Sequence, residues 1–241
     1  IVLYSVPTSG WQSVRIAKKA GVPVVFRALD VSHLISKGLT SQLVKLAERY
    51  VYKRATIVSA NNLVLGEYVA ELGGRTDIPS INFPPLDLAH FVTHSRLEMR
   101  AKMGIDQNSF VITYMGSLFT FSGLIQVVTD FAAMSEPTDR LVIIGGGDIA
   151  NELKQKAKEL NIEGKVVFTG VINYSDLPDY LSVSDALINP FESTLVTNLA
   201  LPHKVLQYLA TGIPTISTEL SGLFHSLGNE AGIYWVNSPE L

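Results

Sequence analysis

The segment from Asn189 to Thr218, NPFESTLVTNLALPHKVLQYLATGIPTIST, combines residue types that could bind an anionic group. Its pattern predicts a loop, then a helix opened by Pro202 and closed by Gly212, and then a buried strand. Lys204 and Gln207 fall on one face of that helix, away from its apolar stripe. The N–H groups of a helix N-terminus favour negative charge, and Lys204 adds a full positive charge, so this face could hold phosphate and sugar. The alternative is an ordinary amphipathic helix with a solvated polar face.

Two further turns place glycine at the ends of apolar strands. Gly116 and Ser117 follow one strand, and the run Gly145-Gly146-Gly147 follows the next. The glycine run fits a dinucleotide-binding loop, but no acid follows about 20 residues later to hold a ribose, so a dehydrogenase site and a tight packing turn remain alternatives. Because the carboxyl ends of parallel strands share one edge, we expect Gly116 and Gly146 to converge with the segment 198–207.

The composition describes a globular chain with a large apolar core. The 241 residues are 47% hydrophobic and 17% charged, and the net charge is −3, which argues against a general nucleic-acid-binding protein. The lack of cysteine excludes disulfides, thiol nucleophiles and cysteine-ligated metal, and it agrees with a cytoplasmic location. No transmembrane run or signal peptide is visible, and the start at Ile1 predicts a fragment of a longer protein.

Short apolar strands alternate with helical patterns along the chain. Continuous apolar strands are typical of a parallel sheet covered on both faces, so the pattern predicts an α/β protein built of doubly wound, Rossmann-like units. The predicted strands cover residues 1–6, 23–29, 56–59, 79–83, 111–116, 140–145, 165–169, 186–190, 215–218 and 232–236. The predicted helices lie near residues 10–20, 40–54, 61–73, 95–103, 122–134, 148–160, 174–182, 202–211 and 221–226.

A proline pair, Pro84-Pro85, marks the predicted boundary between two lobes, because proline removes a backbone donor and extends the chain. We expect a partial N-terminal lobe over residues 1–92, a linker over 93–108 and a second lobe over 109–241. The first lobe contains only about four predicted strands, which is few for a Rossmann unit. This again indicates missing N-terminal sequence.

An ordered set of motifs covers more than half of the chain from Val111 onward: YMGSL, SGL, LVIIGGGD, KVVFTGVINYSDLPDYLSVSDALINPF and LPHKVLQYLATGIPTIST. In order and spacing this set resembles the donor-binding lobe of GT-B-fold retaining glycosyltransferases of the group-one, or family-four, class. The strings VPVVFRALDVSH and INFPPLDLAHF resemble the N-terminal lobe of that class more loosely. The resemblance implies two Rossmann-like lobes, the first incomplete, and transfer of a sugar from a nucleotide sugar with retention of anomeric configuration.

The resemblance also implies which residues contact the donor. Val171 and Ile172 would meet the nucleobase, and Gln207 stands where the family commonly has the glutamate that holds the ribose; glutamine can still bond hydroxyls. Asn198 and Lys204 would lie around the diphosphate. Glu192 would contact the sugar, with an exposed loop glutamate as the alternative. The complete implied donor set is Gly116, Ser117, Ser122, Gly146, Gly147, Val171, Ile172, Glu192, Asn198, Lys204 and Gln207.

Two departures from the family pattern concern charge. Ser117 and Ser122 stand where relatives often carry arginine and lysine, and the loss of such cations weakens transition-state stabilisation. Lys204 and the N-terminus of its helix would have to compensate. A catalytically inactive nucleotide-sugar-binding module is therefore one alternative, and a nucleotide-sugar epimerase of the same fold is another.

The N-terminal lobe of the family supplies the acceptor site and a histidine near the reacting carbon. Asp30 and His33 follow the strand 23–29, so they join Lys204 as candidate catalytic residues, although His33 is displaced from the family position. A structural His33 and a helix-capping Asp30 are the alternatives.

The substrates and location follow from the same resemblance. It implies a UDP- or GDP-type nucleotide sugar as donor, a glycan or lipid-linked acceptor, and neither a cofactor nor a metal. Arg49, Lys53 and Arg54 on the predicted helix 40–54 favour either peripheral contact with the cytoplasmic face of a membrane or a solvated basic face.

Overall fold

Two parallel β-sheets, one of four strands and one of six, organise the chain. They are seen in a computed structural model that describes residues 1–4, 7–36, 38–77, 79–91, 95–229 and 232–237, without the side chains of residues 7 and 8. The strand pairs of both sheets are all parallel. The carboxyl ends of the strands therefore lie along one edge of each sheet.

The smaller sheet has the strand order β1-β2-β3-β4. Its strands are β1 Val2–Tyr4, β2 Val25–Ala28, β3 Ile57–Ala60 and β4 Ser80–Ile81, and its helices are α1 Pro7–Lys19, α2 Ser32–Ile35, α3 Leu39–Arg54 and α4 Leu63–Gly73. Asn62 caps α4 by accepting the Leu65 N–H, and Gly74 ends that helix in the left-handed conformation. A buried apolar cluster that includes Phe26, Val51 and Val58 joins the helices to the sheet.

The larger sheet has the strand order β10-β9-β8-β5-β6-β7. Its strands are β5 Val111–Met115, β6 Arg140–Ile144, β7 Val166–Gly170, β8 Ala186–Asn189, β9 Thr215–Thr218 and β10 Ile233–Val236. The remaining helices are α5 Arg96–Lys102, α6 Leu124–Met134, α7 Ala150–Glu159, α8 Leu177–Ser182, α9 Leu195–Leu199, α10 His203–Thr211 and α11 Ser221–Leu227. Buried apolar clusters cover this sheet as well.

The chain divides into two compact units that are not continuous in sequence. Unit 1 comprises residues 1–85, 194–201 and 220–228, and unit 2 comprises residues 86–193, 202–219 and 229–241. This division differs from the predicted lobes 1–92 and 109–241, because α9 and α11 pack on α4 within unit 1. The buried Asn62 side chain donates to the carbonyl of Leu199 and so holds this segment in unit 1.

The part of the predicted linker 93–108 that is described, residues 95–108, belongs to unit 2; residues 93 and 94 lie outside the described residues. Arg100 on α5 is fully buried. Its guanidinium donates to the carbonyl of Val183 at 2.7 Å, to that of Gln107 at 2.8 Å and to the carboxylate of Asp185 at 2.8 Å. These bonds fasten α5 to the unit, so this segment is not a free connector.

The predicted α/β fold with parallel sheets is confirmed. Each predicted strand overlaps an observed one, although residues 5 and 6 of the first lie outside the described residues. The pattern missed α2 and α9, which have four and five residues. Helices this short carry too few turns for a hydrophobic period to show.

Candidate functional site

Glycine allows the ends of β5 and β6 to lie against each other at the carboxyl edge of the larger sheet. The Gly116 N–H donates to the carbonyl of Ile144 at 2.9 Å. A Cβ atom on Gly145 would lie 2.0 Å from the Gly116 carbonyl oxygen, and one on Gly147 would lie 2.6 Å from that of Leu118. Gly145 also has a φ of +130°, which side chains rarely adopt. The edge is therefore bare backbone that a ligand can approach closely.

Lys204, in the first turn of α10, lies beside this turn. The residue is only 8% exposed, and its Nζ lies 4.0 Å from the ring centre of Tyr114 and 3.9 Å from that of Phe191. A Cβ atom on Gly116 would lie 3.6 Å from Nζ. Within the described residues Nζ has no hydrogen-bond partner, and burial lowers the pKa of Lys204 well below its ordinary value. A buried ammonium with unused donors is suited to an anionic partner.

A cleft of about 320 Å³ opens beside these residues, within unit 2. This volume is at the lower end of the range for small-molecule sites, about 300–1,000 Å³. The predicted donor residues that line it are Gly116, Ser117, Gly146, Val171, Ile172 and Gln207. The other lining residues are Met115, Ile144, Gly145, Asn173, Tyr174 and Leu177. Gly116 and Gly146 thus meet Gln207 of α10 around one concave surface, whereas the other residues of the expected segment 198–207 do not line it.

Residues 95–239, more than half of the chain, match the family model described as "Glycosyl transferases group 1". The chain belongs to this family. Among curated relatives it is 25% identical to alpha-monoglucosyldiacylglycerol synthase of Streptococcus pneumoniae over 220 residues, which are 86% of this chain and 49% of that protein. It is 28% identical to mannosylfructose-phosphate synthase of Agrobacterium fabrum over 148 residues, 55% of this chain and 30% of that protein. The chain thus spans about half or less of the length of these two relatives.

Solved structures show the same fold. HepE of Anabaena, in complex with UDP and glucose, has a TM-score of 0.83 and 17% identity, with 99% of this chain and 64% of that chain covered. Sucrose-phosphate synthase of Thermosynechococcus elongatus has a TM-score of 0.75 and 17% identity, with 100% of this chain and 61% of that chain covered. The predicted GT-B type, with two Rossmann-like lobes, is confirmed.

Four predicted donor residues lie in unit 2 but do not line the cleft: Lys204, Gly147, Ser122 and Glu192. Lys204 lies behind the wall of the cleft, against Gly116 and between the rings of Tyr114 and Phe191. Gly147 packs tightly against the backbone of Leu118. Ser122 is fully buried ahead of α6, and its hydroxyl has no hydrogen-bond partner among the described residues. Glu192 follows β8 and is exposed, and its N–H donates to the carbonyl of Phe121. Gly147 and Ser122 are packed inside the turn and not on the surface of the cleft. The sequence alone does not show on which side of the turn a residue lies.

Asn198 is the predicted diphosphate residue that the structure places elsewhere, in unit 1. Its Oδ1 accepts the Ser221 N–H at 2.9 Å and the Ser221 hydroxyl at 3.1 Å, and its amide donates to the carbonyl of Thr194. Asn198 therefore ties α9 to the start of α11. This is a structural role that differs from the predicted one.

His33 also lies in unit 1, and it belongs to a buried polar network. The residue is 4% exposed; its Nδ1 pairs with Glu48 Oε2 at 2.5 Å, and its Nε2 lies 3.2 Å from the Tyr68 hydroxyl. Burial, and then the Glu48 carboxylate, raise the pKa of Tyr68, so that this phenol stays a proton donor. Because both ring nitrogens have partners, the geometry favours the structural alternative for His33 over direct contact with a sugar.

Asp30, the other candidate of this region, is exposed and accepts a hydrogen bond from the Ser32 hydroxyl at 3.5 Å. Val31 occupies the N-cap position of α2, without a side-chain cap bond. The helix-capping alternative for Asp30 is therefore not observed. Its predicted catalytic role stays a prediction.

Several residues that the sequence reasoning overlooked shape the cleft. Tyr174 lines it, and its ring stacks on His90 with centroids 4.4 Å apart, while His90 Nε2 lies 2.9 Å from the Tyr174 carbonyl oxygen. The Tyr208 hydroxyl accepts the Met115 N–H at 2.7 Å and so fixes α10 against the end of β5. Tyr174 could have been included in the predicted site, because it follows Val171 and Ile172 closely in sequence. No local sequence feature indicated that Tyr208 contacts the end of β5.

Proposed function

We propose that the intact protein transfers a sugar from a nucleotide-sugar donor to a glycan or lipid acceptor, with retention of anomeric configuration. The observation that carries this proposal is the cleft of unit 2, where a glycine-walled edge lies beside the buried amine of Lys204. Membership of the group 1 family supports a transferase. HepE, whose structure contains UDP and glucose, supports a UDP-type donor.

Different residues in and beside the cleft would contact the diphosphate, the ribose and the base of such a donor. The diphosphate would approach the bare backbone at Gly116 and take hydrogen bonds from Lys204, whose unused donors lie beside that turn. Gln207, which is 7% exposed and lines the cleft, would bond the ribose hydroxyls. Val171, Ile172 and Tyr174 offer an apolar wall and a ring face to the base.

The chemical step would be loss of the nucleoside diphosphate through an oxocarbenium-like transition state. In that step the anomeric C–O bond breaks and negative charge builds up on the departing diphosphate. The acceptor hydroxyl oxygen forms the new bond to the anomeric carbon from the same face of the sugar, and its proton passes to the departing diphosphate. The group that stabilises the growing charge is Lys204, because a buried ammonium is far more effective there than a solvated one.

The acceptor class rests on relatives. The name alpha-monoglucosyldiacylglycerol synthase describes a relative that makes a glycolipid, and the name mannosylfructose-phosphate synthase describes one that makes a phosphorylated sugar. We propose a lipid acceptor, since the lipid-acting relative covers 86% of this chain and the other covers 55%. The predicted cytoplasmic location belongs to the same proposal.

A module that binds the donor without turning it over is the second candidate. Two observations favour it: Ser117 and Ser122 replace the cations expected of the family, and Ser122 is buried with no opening to the cleft. Such a protein would keep the Lys204 and Gln207 contacts but would stabilise the departing diphosphate poorly.

One experiment separates the two candidates. The full-length protein is incubated with UDP-glucose or GDP-mannose and with diacylglycerol, and the products are followed by mass spectrometry and by proton NMR of the anomeric centre. Formation of an α-linked product from an α-linked donor is the expected result. Donor binding by calorimetry without transfer or hydrolysis across a panel of acceptors would establish the binding module and refute the transferase.

A further inference from the structure

Three phenylalanine rings of unit 2 form a row that begins beside Lys204. The Phe191 ring centre lies 3.9 Å from Lys204 Nζ. It lies 5.5 Å from the ring centre of Phe121, which in turn lies 5.2 Å from the ring centre of Phe119. We call Phe191, Phe121 and Phe119 the phenylalanine row. None of the three lines the cleft of about 320 Å³, so the row is a surface separate from that cleft.

Two loops at the carboxyl edge of the larger sheet carry the phenylalanine row. Phe119 and Phe121 lie between β5 and α6, and Phe191 follows β8. The strands β5 and β8 are paired neighbours in the sheet. The Glu192 N–H donates to the carbonyl of Phe121 at 3.1 Å, which joins the two loops directly beside the rings. The row is therefore supported by paired strands and a backbone hydrogen bond, and not by contacts between the rings alone.

The outer end of the phenylalanine row is open to solvent. Phe119 is 41% exposed, and Phe121 and Phe191 are half-buried. The segment 116–123 contains no charged residue, and the charged residue that follows Phe191 is the exposed acid Glu192. The row therefore offers apolar ring faces to a neutral ligand, whereas a ligand with a carboxylate would meet the negative charge of Glu192 without a cation on this segment to offset it.

Lys204 connects the phenylalanine row to the expected position of the diphosphate. A Cβ atom on Gly116 would lie 3.6 Å from Nζ, and the Phe191 ring centre lies 3.9 Å from the same atom. In a nucleotide sugar the sugar is bonded directly to the distal phosphate, whereas the ribose separates the diphosphate from the base. A donor with its diphosphate at Gly116 and its base at Val171 in the cleft therefore has its sugar within reach of the row.

We propose that the phenylalanine row binds the sugar of the donor and selects a neutral hexose that carries a methyl group, in an acetamido or a 6-deoxy position. This inference rests on the proposed function, since it assumes a nucleotide sugar in the cleft. The C–H groups of the sugar pack on the negative faces of the rings. A methyl group gains apolar contact there, whereas a hydroxyl placed against phenylalanine loses its water without gaining a hydrogen bond.

The surroundings of the phenylalanine row favour a sugar over the acyl chain of a lipid acceptor. One end of the row contacts the Lys204 amine, which would be protonated beside a bound diphosphate. A sugar has C–H groups for the rings and hydroxyl oxygens that accept hydrogen bonds from an ammonium, so it suits both parts of this surface. An acyl chain suits the rings only. An acyl chain as occupant is a separate outcome of the test.

The test compares nucleotide sugars that differ in one methyl-bearing group. Titration calorimetry with the full-length protein compares UDP-glucose with UDP-N-acetylglucosamine, and GDP-mannose with its 6-deoxy analogue, while UDP and GDP serve as references without a sugar. We expect the methyl-bearing member of at least one pair to bind about tenfold more tightly than its partner, the lower end of the effect of one apolar group in an apolar pocket, because Phe119 is partly solvated.

Variants of the outer ring assign this preference to the phenylalanine row. Phe119→Ala should reduce the preference to about twofold and leave the affinity for the bare nucleotide unchanged. Phe119→Trp keeps an aromatic face at the same position and should retain the preference, which separates loss of the ring from a general disturbance of the loop. The matched control is Phe110→Ala, because Phe110 is 51% exposed and precedes β5 at the opposite edge of the sheet; this variant should bind like the parent.

The outcomes distinguish the phenylalanine row from the donor cleft. If the parent binds neither UDP nor GDP, the proposed donor is refuted and the role of the row with it. If a bare nucleotide binds but neither methyl-bearing sugar is preferred, only the role of the row is overturned and the proposed transferase stands. That role is equally overturned if Phe119→Ala weakens the bare nucleotide and the nucleotide sugars alike, or if it raises the KM for diacylglycerol at unchanged donor affinity, which would assign the row to an acyl chain.

Discussion

Replacing Lys204 with methionine should separate ligand binding from folding. Methionine has nearly the length of lysine and fits between the rings of Tyr114 and Phe191, so packing is kept while the charge is lost. Because Nζ is buried without a hydrogen-bond partner among the described residues, its removal takes away a desolvation cost and no described hydrogen bond. We therefore expect the melting temperature to stay the same or rise.

The binding loss can be estimated from the same geometry. At an effective dielectric constant of about 20, two unit charges about 4 Å apart attract by about 4 kcal/mol. Part of this is offset by the cost of keeping a buried lysine protonated, so a net loss of about 1.5–3 kcal/mol is expected, the range for a hydrogen bond to a charged group. The dissociation constant of UDP should therefore rise by about 10- to 150-fold.

Proton uptake gives an independent signature of the same contact. Burial lowers the pKa of Lys204 well below its ordinary value, and a diphosphate bound beside it would raise that pKa again. Above the lowered pKa, binding must therefore take up a proton, and the affinity for UDP should fall as the pH rises. Titration calorimetry in two buffers of different ionisation enthalpy measures this uptake directly.

The control is Lys165→Met. The Lys165 ammonium donates to the carbonyls of Ser135 and Glu136, so its loss should lower the melting temperature and leave UDP affinity unchanged. Calorimetry and thermal melting of both variants complete the comparison. An unchanged UDP affinity in Lys204→Met would refute the reasoning, as would a melting temperature that falls as far as in Lys165→Met.

Four further changes test other parts of the structure. Gly145→Ala forces a Cβ atom to within 2.0 Å of the Gly116 carbonyl at a φ of +130°, so urea unfolding should show a loss of about 3 kcal/mol or more, whereas Gly164→Ala, with open space around it, should show little. Asn198→Ala removes the bonds to Ser221 and should cost about 1 kcal/mol of stability without changing UDP affinity; weaker binding would instead support the predicted diphosphate role. Burial raises the pKa of Asp185, but hydrogen bonds from Arg96, the Val111 N–H and Arg100 outweigh it and hold that pKa below 3.8. The stability from Asp185 is therefore present above 3.8 and lost as the pH falls through the lowered pKa, and Asp185→Asn should flatten an acid-unfolding curve in that region. Ser117→Arg, at an exposed position that lines the cleft, should tighten UDP binding by about fivefold at low salt, and an unchanged affinity in a displacement assay would contradict that placement.

The alternation of strands and helices and the glycine turns could be predicted from the sequence because both are local. Runs such as Arg140–Ile144 are apolar over nearly their whole length, which is typical of a strand in a sheet covered on both faces. The glycines of 145–147 follow that strand directly, and the cleft forms where they meet α10. Here the sequence order, together with the rule that parallel strands end at one edge, was sufficient.

The partners of buried polar groups could not be predicted in this way. Glu48 reaches His33 because α2 and α3 pack together, and Arg100 reaches Val183 across 83 positions of sequence. Such contacts depend on the tertiary arrangement, and no spacing rule within one element describes them. The same holds for Asn198: its neighbours in sequence suggested the cleft, but its hydrogen bonds place it with α11 in unit 1.

The two positions that lack the family cations are not physically equivalent. Ser117 is exposed on the wall of the cleft, so a positive side chain there would reach a bound phosphate through solvent at little cost. Ser122 is fully buried, and a lysine there would have to be desolvated or would push the turn apart. Packing around Ser122 therefore leaves no room for a cation at that position, whereas Ser117 is open to solvent. Since Lys204 is also buried, its ammonium, once protonated beside a diphosphate, would be less screened by solvent than a surface cation. The arrangement is consistent with catalysis through fewer, better-shielded charges. The transfer assay of the parent protein decides whether these charges are enough for turnover, and the same assay of Lys204→Met decides whether Lys204 is needed.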